Sequence, residues 1–188
     1  MSSRSVATAA FDRFVFETVA ERSGVTIECG IDANRAMILT SSATIDDLPS
    51  TWLALQSRAG DDLLELHQDE QLGSIHQDQT ASAQSSHASA GFEPGLDDGF
   101  DDGFSRTFAI DVDDHDVVRS LLGPVARSEL IALERRAGPL VIIVDPGERL
   151  DTTTSLIVAR RVAADTGPTS IDVSAAFDMA AGVAAALS

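Results

Sequence analysis

Five consecutive apolar residues, Leu140-Val-Ile-Ile-Val144, stand between the breaker pair Gly138-Pro139 and the turn sequence Asp145-Pro146-Gly147-Glu148. The run is too short for a buried helix and rich in β-branched side chains, so it reads as a strand. Being apolar on both faces, it belongs at the centre of a sheet. The chain around it must supply the neighbouring strands and the helices that cover them.

The flanking segments offer both. Phe11, Phe14, Val15, Thr18 and Val19 recur at helical spacing, with Asp12, Glu17 and Glu21 on the other side, which predicts an amphipathic helix over residues 8–22 that stops at Gly24. Four strand-like runs follow at 25–31, 35–40, 51–58 and 62–67. Ile27, Cys29 and Ile31 alternate with polar residues, and Trp52, Ala54 and Gln56 alternate with Leu53 and Leu55. Asp32 and Asn34 suit a hairpin turn between the first two runs. Asp46-Asp47-Leu48-Pro49 reads as a longer connection. Downstream, residues 105–111 are expected as a strand with Phe104, Phe108 and Ile110 on its apolar side. Asp113 and Asp114 are expected to cap a helix burying Val117, Val118, Leu121 and Leu122. Pro124 opens a second helix over 125–136, apolar at Val125, Leu130 and Leu133 and ended by Gly138. A return strand is expected over 149–158. A closing helix is expected over 171–187, capped by Asp172, with Val173, Ala176, Phe177, Ala180, Val183, Ala184 and Leu187 on its packing face. The fold class is therefore α+β: an N-terminal helix, an antiparallel strand meander, a helix pair, further strands and a C-terminal helix packed on the sheet.

Residues 68–93 break this pattern. Gln, Ser, His and Ala dominate and no period survives, so the segment is read as a disordered insertion in one domain spanning residues 1–188. Just beyond it, Asp97-Asp98-Gly99-Phe100 is repeated as Asp101-Asp102-Gly103-Phe104.

Composition narrows the function. The 13 basic residues are all arginine and oppose 30 acidic ones, a formal charge of −17, while lysine is absent. Either GC-rich codon usage or adaptation to a salty, halophilic cytoplasm produces this balance. Without a basic footprint, nucleic acid is not an expected partner, and anionic membrane surfaces are disfavoured. No stretch reaches the ~18 apolar residues of a spanning helix, so membrane insertion is not expected. Residues 1–11 lack the apolar core of a signal peptide, and Cys29 alone makes no internal disulfide; a cytoplasmic location is expected.

From Asp101 to Val144 there is a cadence: Phe104-x-x-x-Phe108-x-Ile110, then Asp114-x-x-x-Val118-Arg119-x-Leu121-Leu122-x-Pro124, a Leu-rich helix and an apolar strand. It resembles a loose group of uncharacterised bacterial domains of unknown function, in which the pattern follows a strand meander and many members carry transmembrane helices upstream. The resemblance implies a shared fold and carries over no site residues. The present chain differs in lacking a membrane segment and in carrying the Gln/Ser/His insertion.

The chemistry-bearing residues form no recognised catalytic motif. Asp97, Asp98, Asp101, Asp102, Asp111, Asp113, Asp114 and Asp116 place eight carboxylates in twenty residues, a set of oxygens suited to Ca²⁺. Counted from Asp111, however, His115, Asp116 and Leu122 occupy the fifth, sixth and twelfth positions, where an EF-hand loop needs acidic, Gly and Glu. His67, His76 and His87 lie nine and eleven apart and His115 stands alone, without the three- or four-residue spacing of a helical zinc site. Cys29 shares its phase with Ile27 and Ile31, as a core residue would. No G-x-S-x-G elbow or P-loop occurs. The expected function is a non-catalytic protein-interaction or accessory module, with no cofactor and no metal, and with Phe92 and Phe100 as candidate contacts to a basic partner. The alternatives are a divalent-cation protein using the Asp97–Asp116 segment, and an enzyme of unknown type.

Overall fold

The computed structural model describes residues 10–11, 13–45, 51–60, 102–145, 156–163 and 167–188. Seven strands make one sheet: β1 (Phe14–Arg22), β2 (Val25–Asp32), β3 (Met37–Ala43), β4 (Leu53–Ser57), β5 (Phe108–Val112), β6 (Leu140–Val144) and β7 (Leu156–Val162). Their spatial order is β1-β2-β3-β7-β6-β4-β5, and every neighbouring pair is antiparallel. Among the described residues, four α-helices with given bounds accompany them: α1 (Asp102–Thr107), α2 (His115–Leu121), α3 (Pro124–Ala137) and α4 (Ser170–Leu187). The class is α+β, as the alternating segments predict.

The first element departs from expectation. The helix expected over residues 8–22 is overturned from Phe14 onward, because Phe14–Arg22 is β1; residues 8, 9 and 12 lie outside the described residues. Its partner is local. Ser23 (φ 53) and Gly24 (φ 77) make a two-residue turn with both φ positive, the geometry that matches strand twist, and Val15 falls opposite Ile31. Gly24 is thus a hairpin residue, not a helix stop. The helical spacing of Phe14, Val15, Thr18 and Val19 arises because both faces of the strand carry apolar residues.

The second hairpin follows the expected turn. The Asp32 carboxylate accepts from the Asn34 and Ala36 backbone N–H at 2.9 and 2.7 Å, and Arg35 takes the left-handed position (φ 63) that usually goes to glycine. The meander stops at β3. β4, expected to continue it, is separated from β3 by two strands, because β7 pairs with β3 from Met37–Val162 to Ala43–Leu156, and β6 lies between β7 and β4. β6 is buried along its whole length, as its composition demands. The return strand expected over 149–158 is found at Leu156–Val162; residues 149–155 lie outside the described residues.

Among the described residues, α1 to α4 pack on one face of the sheet. Leu53, Leu55, Phe108, Leu140, Ile142, Val144, Leu156 and Val158 meet Phe104, Val118, Leu130, Leu133, Met179 and Val183 there. The expected strand over 105–111 begins only at Phe108. The preceding residues form α1, so Phe104 and Phe108 stack, centroids 5.1 Å apart, and do not alternate along one strand. Asp114 caps α2, accepting from the Asp116 and Val117 N–H at 3.0 and 3.1 Å. Pro124 starts α3 and Gly138 (φ 81) ends it. Val125, expected on the buried face, is exposed, since it precedes the first inward position, Ala126. At α4, Thr169 and not Asp172 is the N-cap; Asp172 closes a capping box with it. The Ser41 hydroxyl donates to the Ala176 carbonyl at 3.0 Å, and the Arg160 guanidinium reaches the Asp172 carboxylate at 2.9 Å, so the helix is tied to β3 and β7. By length and composition α4 is apolar enough to cross a membrane; in the structure its apolar face packs on the sheet.

On the opposite face, Ile38, Trp52, Ala54, Val141, Ile143, Ile157 and Ala159 form a second core that Ala10, Phe11 and Phe14 join. Trp52 and Ala54 point to this face while Leu53 and Leu55 point to the helices, so the predicted alternation holds with both sides buried.

Candidate functional site

The carboxylates proposed as a cation site are spread apart where they are described. Asp111 lies opposite Ala54 in the β4–β5 register, and its Oδ2 accepts from the Trp52 indole N–H at 3.0 Å. The Asp113 backbone N–H donates to the Trp52 carbonyl at 3.4 Å. Asp114 is consumed as the cap of α2. Asp116 stands in water, 3.7 Å from Arg119. Asp102 opens α1, and Asp97, Asp98 and Asp101 lie outside the described residues. Among the described residues no three His, Cys, Asp or Glu side chains come together as a metal would need. His115 is the first residue of α2. His67, His76 and His87, the segment 68–93, the expected strand over 62–67 and the candidate contacts Phe92 and Phe100 all lie outside the described residues.

Cys29 is buried on β2, facing Met37 with the sulfurs 4.0 Å apart. Burial pushes its thiol pKa up and the nearby Glu17 carboxylate adds to the shift, so the neutral thiol is favoured and a thiolate nucleophile is not.

The surface feature that stands out is at the other end of the sheet. Among the described residues β1 is an end strand, paired only to β2. Val15, Val19 and Ile31 project beside it with 80%, 41% and 45% of their surface in water. They border a groove of about 340 Å³ whose floor and far wall are Glu17, Cys29, Met37, Gly167 and Pro168. Among the described residues, α4 begins at Ser170 and packs over β7, β3 and part of β2 through Ala176 and Phe177, and the groove lies beyond it, against the first half of β1. Phe16 points the other way and lies across Gly30, where its ring fills the space a side chain would take. The register then breaks between Thr18 and Ala20 with a bulge, a device that limits pairing along an open edge.

Sequence reasoning missed this surface because it assigned Val15 and Val19 to the buried stripe of a helix. The signal that reveals it is the Ser-Gly pair between two β-rich runs. Among the described residues, the geometry offers a sheet edge with no further strand on it and a shallow apolar trough that contains one carboxylate, Glu17. Compared with known proteins, the chain matches no family model, no curated protein and no solved structure.

Proposed function

We propose that the chain is a non-catalytic protein-interaction module whose contact surface is the β1 edge with its adjoining groove. The observation that carries this reading is the gathering of Val15, Val19 and Ile31 on one open edge. Single exposed apolar residues are ordinary, but a contiguous group beside unpaired backbone is the composition of a binding surface.

The test compares proteins recovered from source-cell extract by the tagged chain and by its Val19→Arg variant, after both are shown to be equally folded by circular dichroism. Val19 is exposed, so arginine there blocks the trough without disturbing the core. Partners held by the parent, cross-linked at β1 and lost with the variant support the reading. Identical recoveries from the two overturn it.

A further inference from the structure

The chain has one cysteine and three methionines, and two of these four sulfurs meet. The Cys29 thiol donates to the Met37 thioether with the sulfurs 4.0 Å apart, and both residues line the groove beside β1, as does Glu17. We propose that Cys29 and Met37 bind one soft monovalent cation, Cu(I), with the Glu17 carboxylate as a weaker third donor. The inference goes beyond the interaction reading above, since it concerns the floor of the groove and not the open edge.

Sheet geometry explains why the donors converge. Cys29 stands opposite Glu17 in the β1–β2 register, so the two side chains leave the sheet on the same face. Met37 stands opposite Ile31 on β3, one same-face position along from Cys29. Its unbranched side chain spans that diagonal to reach the thiol. Three adjacent strands thus supply one donor each: β1 the carboxylate, β2 the thiol and β3 the thioether. Cys29 and Met37 are each 8% exposed, shielded from most water yet at the boundary between the core and the groove.

The donor chemistry selects the ion. A thioether is soft and uncharged, a poor ligand for Ca²⁺ or Mg²⁺, which take oxygen. Zinc wants four donors drawn from Cys, His and carboxylate, and no three of these gather among the described residues. Cu(I) takes thiolate and thioether sulfur together and accepts a low coordination number. The spacing suits it. At a metal–sulfur length of about 2.3 Å, as in zinc thiolates, an ion equidistant from both sulfurs subtends about 120° between them, the trigonal angle. Glu17 then takes the third position.

Binding is an exchange of one cation for another. Cu(I) replaces the thiol proton of Cys29, which leaves to water, and the sulfur lone pair forms the bond to copper. The metal stays Cu(I), so no oxidant or reductant is consumed. In the metal-free protein, burial and the Glu17 charge hold the proton on the thiol. A cation between thiolate and carboxylate offsets their repulsion, which is how a metal deprotonates a thiol that water alone does not.

The experiment titrates the purified, reduced full chain under anaerobic conditions against a chromophoric Cu(I) chelator, whose colour reports the copper it loses to the protein. The parent chain is expected to withdraw Cu(I) and to show near-ultraviolet thiolate-to-copper absorption. Cys29→Ala is expected to abolish that absorption and to weaken binding at least a hundredfold. Met37→Leu keeps the volume, the thiol and the carboxylate, and is expected to weaken binding at least tenfold. Glu17→Gln is expected to weaken it less than tenfold. Thermal unfolding without metal compares each variant with the parent chain, and Met37→Leu decides alone if Cys29→Ala does not fold. A parent chain that takes no Cu(I) overturns the proposal. So does equal binding by Met37→Leu, which is capture by one thiol alone, or equal binding by Cys29→Ala, which is capture elsewhere on the chain.

Discussion

Arg35 holds the left-handed corner of the β2–β3 hairpin at φ 63, a conformation in which its Cβ crowds the following carbonyl. Glycine there removes the crowding and gives back part of the gain as unfolded-chain entropy, so Arg35→Gly is expected to raise stability by about 0.5 kcal/mol in denaturant titration. Asp172 carries a pH-dependent contribution. Its carboxylate accepts from the Thr169 hydroxyl and N–H at 2.7 and 3.0 Å and meets Arg160 at 2.9 Å, and the Thr169 bonds above all hold its pKa below the ordinary 3.8. The ionised form is the one the fold prefers. Its stabilisation is therefore complete above the ordinary carboxylate range and disappears as pH falls through the depressed value. Asp172→Asn is expected to lose about 0.5–1 kcal/mol near neutrality, the lower part of the capping range because the group is partly in water. The gap to the parent chain closes in acid unfolding series below about pH 4.

At the level of elements, Phe16 and Gly30 face each other across β1 and β2, and a Cβ at Gly30 would lie 2.5 Å from the Phe16 ring. Gly30→Ala therefore requires the ring to swing outward, away from Phe11 and Phe14, at a cost of about 1 kcal/mol. In a Phe16→Ala background the same substitution is expected to cost less, and a double-mutant cycle by chemical denaturation reads the difference. This pairing also shows where the sequence was legible and where it was not. The five apolar residues of β6, the opposed phases of Trp52 and Leu53, the Asp114 cap and the packing face of α4 each follow from a local rule, and each is found. β1 was misread because Phe14, Val15, Thr18 and Val19 fit a helical stripe as well as two strand faces, and the choice between them is made by Ser23-Gly24 and by pairing with β2. The candidate contacts Phe92 and Phe100 were selected as aromatics in an acidic setting, whereas the edge valines acquire meaning only once the sheet exists. No local rule indicates that β7 inserts between β3 and β6, since that depends on contacts more than a hundred residues apart, such as Ser42 with Ile157.

Across the whole molecule, the formal charge is −17, and among the described acids Glu28 and Asp145 are buried while the others are exposed or half-buried, within reach of water and salt. Mutual repulsion among them opposes compaction. The thermal midpoint is expected to climb by several degrees as KCl rises from about 0.1 to 2 M, with Ca²⁺ adding nothing at matched ionic strength; calorimetry reads both. The strand order has a separate bearing on biosynthesis. The β1–β2–β3 meander and the β4–β5–β6 group touch in the sheet only through β7, the last strand to leave the ribosome. Until residues 156–162 emerge, the nascent chain holds two half-sheets, each ending in a central strand whose partner is still to come, the mixed β3 on one and the wholly apolar β6 on the other. A product interrupted just ahead of Leu156 therefore exposes the two stickiest edges in the fold at once, and one late strand closes both.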